Sequence, residues 1–298
     1  MPGKDPRLLL KSESLITKGS RGTKWLANEL RGEEMAYRYI KYQKKKGRVS
    51  LITLNRPEKR NPLTPKLREE LIEALKEAER DEQIDVIILT GAGKAFCAGG
   101  DIEKFVKRIK EEDQPKKRGT SIDRFGAWGV EIAKIDKPII AAINGVSAGA
   151  GISIALLCDL RIASGQAKFI LAFARMGLVP DVGLTYLLPR TIGIGKALEL
   201  FYTAGTIGAQ EALELGLVNR IVPHEKLMEE AMAMASRIAK GPRVALRLIK
   251  RAVFRELVSS LQEQTELEGL MQNICFSTED HKEGVKAFLE KRAPNFRK

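Results

Sequence analysis

The 298-residue chain has few cysteines and few histidines: it contains 3 Cys and 2 His. The cysteines, Cys97, Cys158 and Cys275, are widely spaced and odd in number, which argues against a disulfide framework and against a zinc site. We therefore predict a protein of the reducing cytoplasm that binds no metal ion. The histidines, His224 and His281, are expected at the surface or in helix caps.

Long apolar runs are missing as well. A membrane helix needs roughly 18–20 apolar residues, and the nearest candidate, 138–157, is interrupted by three glycines and Asn144. The N-terminal residues lack the apolar stretch of a secretory signal. These absences favour a protein without a membrane-spanning helix, and the apolar content of 44% is enough for a substantial core.

Negative charge is scarce mainly at one end of the chain. The net charge is +13, and residues 1–50 hold 13 Lys and Arg against 5 Asp and Glu, so this segment carries +8 of it. A surface that binds nucleic acid would therefore have to lie mainly in the N-terminal segment.

The order of apolar and polar segments predicts three regions. Residues 1–34 are a polar, basic extension, residues 35–223 mix strands with helices, and residues 224–298 are helical. Within the core we predict two strands joined by a basic turn at 43–47, a helix over 65–80 capped by Thr64, buried strands over 85–89, 138–143 and 160–164, and a helix over about 122–134. From Gly195 onward we predict helices only, and we expect the charged segment 105–125 to be mobile.

Two glycine-rich turns each follow a buried strand. One is FCAGGD at 96–101, and the other is GAG at 149–151. A helix N-terminus presents backbone N–H groups without intrahelical partners, and glycine and alanine let a ligand approach them. If the two strands are neighbours, two N–H groups converge on one oxygen and form an oxyanion hole. The alternative is that the glycines only permit tight packing of helix against strand.

Five motifs occur in one order along the chain: NRPEKRNPL, DVIILTGAGKAFCAGGDI, KPIIAAINGVSAGAGISIALLCDLRIAS, MGLVPDVGLTYLLPRTIG and EALELGLVNRIV. Together, over residues 37–298, they resemble the crotonase superfamily, the enoyl-CoA hydratase/isomerase family. The resemblance implies an α/β fold, a crotonase-like spiral of ββα turns with a helical C-terminal region, assembled as a homotrimer or homohexamer. It also implies an acyl-CoA substrate and no cofactor apart from the coenzyme A of that substrate.

The resemblance also maps site residues onto this chain. It places the two oxyanion donors at the backbone N–H groups of Gly100 and Ala150. It implies substrate contacts at further positions of the same motifs, namely Ala98, Asp101, Gly149, Ser153 and Phe173. Most members have three consecutive glycines where this chain has Ala150 between Gly149 and Gly151. The N–H of Ala150 is retained, so the hole should survive with more crowding.

The residues around the hole indicate the reaction. Typical hydratases of the family use two glutamates that hold and activate a water, and this chain has Ser153 and Phe173 at those positions. Serine is a poor base near neutral pH, and phenylalanine tends to exclude water. Family members with an aspartate at the position of Asp181, in LVPDVG, include double-bond isomerases. We therefore predict an isomerase with Asp181 as acid and base. The alternatives are a hydratase with unusual catalytic residues and a purely structural turn aspartate.

Other interpretations are less favoured. Family members that remove a halogen use a histidine at a position that falls near Gly126, where this chain has none. An RNA-binding branch uses a lysine-rich helix, whereas the helix 65–80 has four basic residues against five glutamates, so nucleic acid is not expected as a partner. A catalytically silent assembly protein is opposed by the presence of Asp181.

The remaining candidates concern the two ends of the substrate. Family members bind the adenosine end of CoA near the RPEKRN loop, so Arg56 and Lys59 are candidate phosphate partners, with a solvated basic loop as the alternative. Trp128 is a candidate lining residue of the acyl pocket, with core packing as the alternative.

Overall fold

The computed structural model describes residues 37–103, 106, 127–256 and 260–297. The predicted extension over 1–34 and almost all of the segment 105–125 lie outside these residues. Both expectations, and the division of the chain after residues 34 and 223, stay predictions.

The described residues form ten strands in two sheets. The strands are β1 (Ile40–Lys45), β2 (Val49–Leu54), β3 (Val86–Gly91), β4 (Ala95–Cys97), β5 (Ile139–Ile143), β6 (Val146–Ala148), β7 (Leu160–Ser164), β8 (Lys168–Ile170), β9 (Thr206–Gly208) and β10 (Arg220–Val222). Six strands make one sheet in the order β1-β2-β3-β5-β7-β10, and four make a second in the order β4-β6-β8-β9. The pairs β1/β2 and β8/β9 are antiparallel, and all other pairs are parallel.

From β3 to β8, consecutive strands alternate between the two sheets. Strands β3, β5 and β7 lie in the six-stranded sheet, while β4, β6 and β8, which follow them directly, lie in the four-stranded sheet. The chain crosses between the sheets at Gly91 and Gly145, where a Cβ would lie 2.2 Å from the carbonyl oxygens of Ala95 and Lys94 respectively. Only glycine allows this close approach of backbone to backbone. The repeated crossing gives the predicted α/β spiral.

For β8 the sequence pattern leaves a strand or a turn open, and four further strands are not predicted by it: β4, β6, β9 and β10. The last two contradict the prediction of helices only after Gly195, and β6 separates the strand predicted at 138–143 from the GAG turn. Each of the four is three residues long, too short for a period-two alternation to be visible. Each exists because a neighbouring strand supplies its hydrogen bonds.

The helices follow the predicted pattern closely. Their bounds are α1 (Pro65–Arg80), α2 (Ala127–Ala133), α3 (Ala150–Leu157), α4 (Leu184–Ile192), α5 (Ile194–Tyr202), α6 (Ala209–Glu214), α7 (Leu227–Ala239), α8 (Arg243–Glu256), α9 (Leu261–Phe276) and α10 (Glu279–Leu289). Helix α1 has the predicted bounds, and Oγ1 of Thr64 accepts a hydrogen bond from the backbone N–H of Leu67 at 3.2 Å. The predicted cap is therefore confirmed.

Helix α3 explains the chargeless run after the GAG turn. All eight of its residues, AGISIALL, are buried. A helix that is apolar on every side has to be enclosed on every side, and α3 accordingly begins at the second glycine-rich turn and runs into the interior.

Helix α7 closes the core over the six-stranded sheet. Its small side chains Ala231, Ala235 and Ala239 share a buried cluster with Val86 of β3 and Ile140 of β5. Small residues let the helix axis lie close to the strands, so the apolar faces exclude water. Within the described part of the chain, no helix has the length and apolar character needed to cross a membrane.

Candidate active site

The two glycine-rich turns lie against each other. They follow β4 and β6, which are parallel neighbours, just as β3 and β5 are in the other sheet. A Cβ on Gly99 would lie 2.5 Å from the carbonyl oxygen of Ala148 and 3.4 Å from the backbone nitrogen of Ala150. Gly99 also has a φ of +79°, which favours glycine. The expectation that neighbouring strands bring the turns together is confirmed. The contact between the turns lies at the ends of β4 and β6, two strands that the sequence pattern does not predict.

The predicted oxyanion donors lie at this junction. Ala150 is the first residue of α3, directly after Gly149, whose φ is +51°. Within the described residues, neither the N–H of Gly100 nor that of Ala150 donates a backbone–backbone hydrogen bond. A backbone N–H group without a backbone acceptor can donate to a ligand oxygen, and the N-terminus of α3 adds its partial positive charge.

Two buried asparagines hold the crossing from β3 to β4 that leads into the first turn, and the sequence pattern does not single them out. Nδ2 of Asn61 donates to the carbonyl oxygen of Ala95 at 2.8 Å, and its Oδ1 accepts from the backbone N–H of Arg56 at 2.8 Å. Nδ2 of Asn144 donates to the carbonyl oxygen of Gly93 at 2.8 Å. These amides satisfy backbone groups that the crossing chain leaves without ladder partners. For Asn144, the sequence does offer a signal for this role, because the asparagine directly follows a buried strand.

Ser153 and Asp181 lie together beyond the second turn. Ser153 is fully buried on α3, three residues after Ala150, and its Oγ donates to the backbone carbonyl oxygen of Asp181 at 3.0 Å. The hydroxyl therefore fastens the loop that carries Asp181 to the first turn of α3. In this arrangement Ser153 is a support for the loop.

The carboxylate of Asp181 is half-buried and incompletely hydrogen-bonded. Its Oδ1 is shielded from solvent and has no hydrogen-bond partner within the described residues. Burial raises the pKa of the Asp181 carboxyl above its usual range, while a hydrogen bond from its own backbone N–H and the positive charge of Arg68 act in the opposite direction. A turn or cap aspartate would use this oxygen, because an unpaired buried acceptor costs free energy. A carboxylate with an open oxygen is chemically able to take up and release a proton.

The backbone beside Asp181 is strained. Val182 has a φ of +55°, which a β-branched residue rarely adopts. Helix α2 packs against this bend at Gly129, where a Cβ would lie 2.7 Å from Cγ1 of Val182. Such a conformation persists only when the surrounding structure enforces it, and it is common at functional sites.

Two aromatic side chains flank the site. Phe173 is buried, and its Cζ lies 3.6 Å from the position of a Cβ on Gly149, so the ring covers the second turn. Trp128 of α2 is half-buried, and the guanidinium carbon of Arg68 lies 5.6 Å from its ring centroid. Nε1 of Trp128 is buried without a hydrogen-bond partner among the described residues. The sequence offers no signal that separates Arg68 from the other basic residues of α1.

The candidate phosphate partners are engaged with acidic residues. Nη1 of Arg56 lies 3.7 Å from Oδ2 of Asp101, and its guanidinium carbon lies 5.0 Å from the ring centroid of Tyr39. Lys59 is exposed and forms an ion pair with Glu103. Arg56 and Asp101 are thus brought together, whereas Lys59 lies at the surface.

The residues that begin the first turn are held by burial and by a backbone hydrogen bond. Cys97 is fully buried, and burial raises the pKa of its thiol to about 12, so a reactive thiolate does not form near neutral pH. The backbone N–H of Ala98 donates to the carbonyl oxygen of Arg60 at 2.9 Å, which ties the turn to the RPEKRN loop.

The two histidines take no part in these contacts. His224 is exposed, and its Nδ1 lies 3.1 Å from Oγ of Ser164. The backbone N–H of His281 donates to Oγ1 of Thr278 in the cap of α10. Among the residues described by the structure, no group of three or more His, Cys, Asp or Glu side chains could hold a metal ion.

Comparison with known proteins gives consistent matches along most of the chain. The family described as Enoyl-CoA hydratase/isomerase matches residues 44–298. The 1,2-epoxyphenylacetyl-CoA isomerase of Escherichia coli is 40% identical over 249 residues, which cover 83% of this chain and 94% of that protein. The short-chain-enoyl-CoA hydratase of Clostridium acetobutylicum is 38% identical over 253 residues, with 83% and 94% covered.

Solved structures agree with these matches. The crystal structure of enoyl-CoA hydratase from Bacillus anthracis has a TM-score of 0.79 and 35% identity, and the match covers 87% of this chain and 99% of that one. The predicted family resemblance and fold class are therefore confirmed.

Proposed function

Because the chain belongs to the enoyl-CoA hydratase/isomerase family and is an enzyme of that family, we propose that it shifts a double bond in an unsaturated acyl-CoA. The observation that carries this proposal is the half-buried carboxylate of Asp181. One of its oxygens has no hydrogen-bond partner in the described part of the chain, and it lies on a loop fastened to the first turn of α3. The residues at the two hydratase positions, Ser153 and Phe173, supply no carboxylate.

In the proposed reaction, the thioester carbonyl oxygen accepts hydrogen bonds from the backbone N–H groups of Gly100 and Ala150. These donors stabilise negative charge on that oxygen and lower the barrier to removal of a proton from the α- or γ-carbon. The Asp181 carboxylate takes the proton, and the C–H electron pair enters a dienolate. The same carboxyl returns the proton to another carbon, which moves the double bond and restores the carboxylate. No cofactor is used besides the coenzyme A of the substrate.

The proposed contacts with CoA involve the loop before α1. Arg56 and Lys59 bind phosphate groups, while Ala98, Asp101 and Gly149 border the thioester. The pair of Lys59 and Glu103 is exposed and therefore screened by water and salt, so a phosphate can replace the carboxylate as the partner of the lysine.

The proposed assembly is a homotrimer or homohexamer. Helices α9 and α10 support this proposal because they expose large apolar side chains, Leu261, Leu270, Phe288 and Leu289, and such patches mark interfaces. Light scattering on a sizing column tests it, and a monomer at micromolar concentration would contradict it.

Hydration of a 2-enoyl-CoA is the second candidate. Relatives of similar identity are named hydratases, the Clostridium acetobutylicum protein among them. The residues at the two hydratase positions argue against hydration. Oγ of Ser153 donates a hydrogen bond to the carbonyl oxygen of Asp181, and the ring of Phe173 covers Gly149. Neither side chain can hold and deprotonate a water as a glutamate pair does.

One experiment separates the two candidate reactions: incubation of the protein with a panel of acyl-CoAs. The panel contains saturated, α,β-unsaturated, β,γ-unsaturated and ring-bearing acyl chains. Products are read by mass spectrometry and absorbance. Isomerisation leaves the mass unchanged with a new absorbance, and in deuterated water it adds deuterium at the acidic carbons. Addition of one water to crotonyl-CoA within the usual enzyme range of roughly 1–1,000 per second would overturn the isomerase proposal in favour of hydration.

A further inference from the structure

The first predicted oxyanion donor is oriented by a contact on the opposite side of its own peptide. The N–H of Gly100 belongs to the peptide that joins it to Gly99, and the carbonyl oxygen of that peptide accepts a hydrogen bond from the backbone N–H of Leu63 at 2.7 Å. The described residues contain no cis peptide bond, and in a planar trans peptide the C=O and N–H groups point in opposite directions. The contact with Leu63 therefore fixes the direction in which the N–H of Gly100 points.

The second donor is oriented in a different way. The N–H of Ala150 belongs to the peptide after Gly149, whose carbonyl oxygen accepts a hydrogen bond from the backbone N–H of Ile152 at 2.9 Å. That contact lies within the first turn of α3, so the helix supplies it by itself. The first donor, Gly100, lies outside any helix, and the contact that orients it comes from a segment that precedes α1. The first donor therefore depends on whatever holds that segment in place.

Asn61 holds the segment that carries Leu63. The asparagine is fully buried, its Nδ2 donates to the carbonyl oxygen of Ala95 at 2.8 Å, and its Oδ1 accepts from the backbone N–H of Arg56 at 2.8 Å. Only Pro62 separates Asn61 from Leu63, and the proline ring restricts the backbone between them. A shift of Asn61 is therefore transmitted to the N–H of Leu63.

Three successive contacts join the RPEKRN loop to the first turn. In order along the chain from β4, they are the amide of Asn61, the carbonyl oxygen of Arg60, which accepts from the N–H of Ala98 at 2.9 Å, and the N–H of Leu63 at Gly99. Arg60 and Asn61 have φ values of +60° and +56°, and asparagine adopts this conformation more readily than most residues. The side-chain amide is thus the buried anchor of a bend that the loop has to keep.

We propose that Asn61 is a positioning residue for the reaction: its amide fixes the RPEKRN loop so that the N–H of Leu63 meets the carbonyl oxygen of Gly99, which aims the N–H of Gly100 at the thioester oxygen. The inference rests on the proposed function, because it requires the oxyanion hole of that proposal. It holds for isomerisation and for hydration alike, since both place negative charge on the thioester oxygen. The same contact strengthens the donor, because hydrogen bonds in a chain polarise one another.

The test reads the polarisation of the thioester carbonyl without any turnover. The full-length protein is saturated with butyryl-CoA labelled with ¹³C at the thioester carbonyl, and isotope-edited infrared spectra give the C=O stretching frequency. Hydrogen bonds to that oxygen lower the frequency relative to free butyryl-CoA. Asn61→Gly tolerates the positive φ and removes the amide. In this variant the downshift should shrink by about half, because one of the two donors is misdirected.

A second variant removes the orienting contact itself. Replacement of Leu63 by its α-hydroxy analogue exchanges the backbone N–H for an ester oxygen and keeps the side chain, and it should reduce the downshift to a similar extent. This variant keeps the test usable if Asn61→Gly folds poorly. The matched control is Thr90→Val, which removes a buried hydrogen bond of 2.8 Å from Oγ1 to the carbonyl oxygen of Ala142 and should leave the downshift unchanged.

Kinetics link this geometry to catalysis. Loss of one oxyanion donor costs roughly 100- to 1,000-fold in kcat, so a misdirected donor should cost at least about 10-fold in Asn61→Gly. The change in KM should be much smaller, because the donor acts mainly on charge that develops in the transition state. A residue that only stabilises the fold would not produce this division between kcat and KM.

The outcomes are separable. An unchanged downshift in both Asn61→Gly and the Leu63 ester variant would overturn the inference, as would an equal loss in Thr90→Val, which would make Asn61 a purely structural residue. A wild type whose bound thioester shows no downshift would overturn the oxyanion hole and the inference with it. A downshift that shrinks in the two variants of a protein that isomerises no acyl-CoA would uphold the inference and overturn the proposed isomerisation.

Discussion

Replacement of Asp181 by asparagine should separate catalysis from stability. The amide matches the carboxylate in size but cannot accept a proton from carbon. Loss of a general acid–base group costs roughly 100- to 10,000-fold in rate. We therefore expect the kcat/KM of Asp181→Asn for a β,γ-unsaturated acyl-CoA to fall by this factor, with binding of a saturated acyl-CoA retained.

The same substitution should not weaken the fold. Oδ1 of Asp181 is buried and has no hydrogen-bond partner among the residues that the structure describes, and burial raises the pKa of the carboxyl. The ionised form is therefore disfavoured by folding. This destabilisation is absent below the unfolded-state pKa, grows as the pH rises between the unfolded and folded pKa values, and is complete above the folded value. At pH 7 the free energy of unfolding of Asp181→Asn should exceed that of the wild type by about 1 kcal/mol, and the difference should vanish below about pH 4.

The matched control is Asp159→Asn. The carboxylate of Asp159 is also largely buried, but it accepts hydrogen bonds from Nζ of Lys250 at 2.9 Å and from the backbone N–H of Ile139 at 2.6 Å. Loss of that charge leaves a buried lysine unpaired and should cost about 3 kcal/mol of stability, with little change in kcat at temperatures where the variant is folded.

Denaturant unfolding at several pH values and acyl-CoA kinetics measure both quantities. Turnover of Asp181→Asn within a few-fold of the wild type would remove Asp181 from the mechanism. A loss of more than about 1 kcal/mol of stability at pH 7 would indicate a structural cap, because an unsatisfied buried acceptor should not stabilise the fold.

Three further predictions concern the hole, the missing water site and the extension. Gly99→Ala places a Cβ 2.5 Å from the carbonyl oxygen of Ala148 at a φ of +79°. The substitution should displace one glycine-rich turn from the other and lower kcat/KM at least about 100-fold. Unchanged kinetics would contradict the role of the junction between the turns. Ser153→Glu combined with Phe173→Glu should raise the rate of crotonyl-CoA hydration above the wild-type level, and the gain should be modest because both positions are buried. If the rate does not rise, the missing carboxylate pair is not the reason for slow hydration in the wild type. A chain that starts at Met35 should fold, assemble and bind CoA as the full chain does; loss of the oligomer on a sizing column would assign the extension to the assembly.

Several features follow from the sequence alone because their causes are local. The bounds of α1 follow from Thr64, Pro65 and an apolar face at helical spacing, and the structure confirms them. The chargeless run after Gly149 indicated a buried helix, and α3 is buried throughout. The aspartate of LVPDVG was a candidate for a different reason: the family resemblance places the aspartate of double-bond isomerases at this position, in a loop that is otherwise apolar.

Other features were decided by the tertiary structure. The three-residue strands β4 and β6 exist only because they pair with each other, and their pairing seats Gly99 against Ala148. The neighbours of Asp181 are equally non-local: Ser153 lies 28 residues away in the chain, and Arg68 lies on α1. A local pattern cannot encode such contacts, because the burial, charge and distance that define the chemistry of Asp181 arise only when separate turns of the spiral pack together.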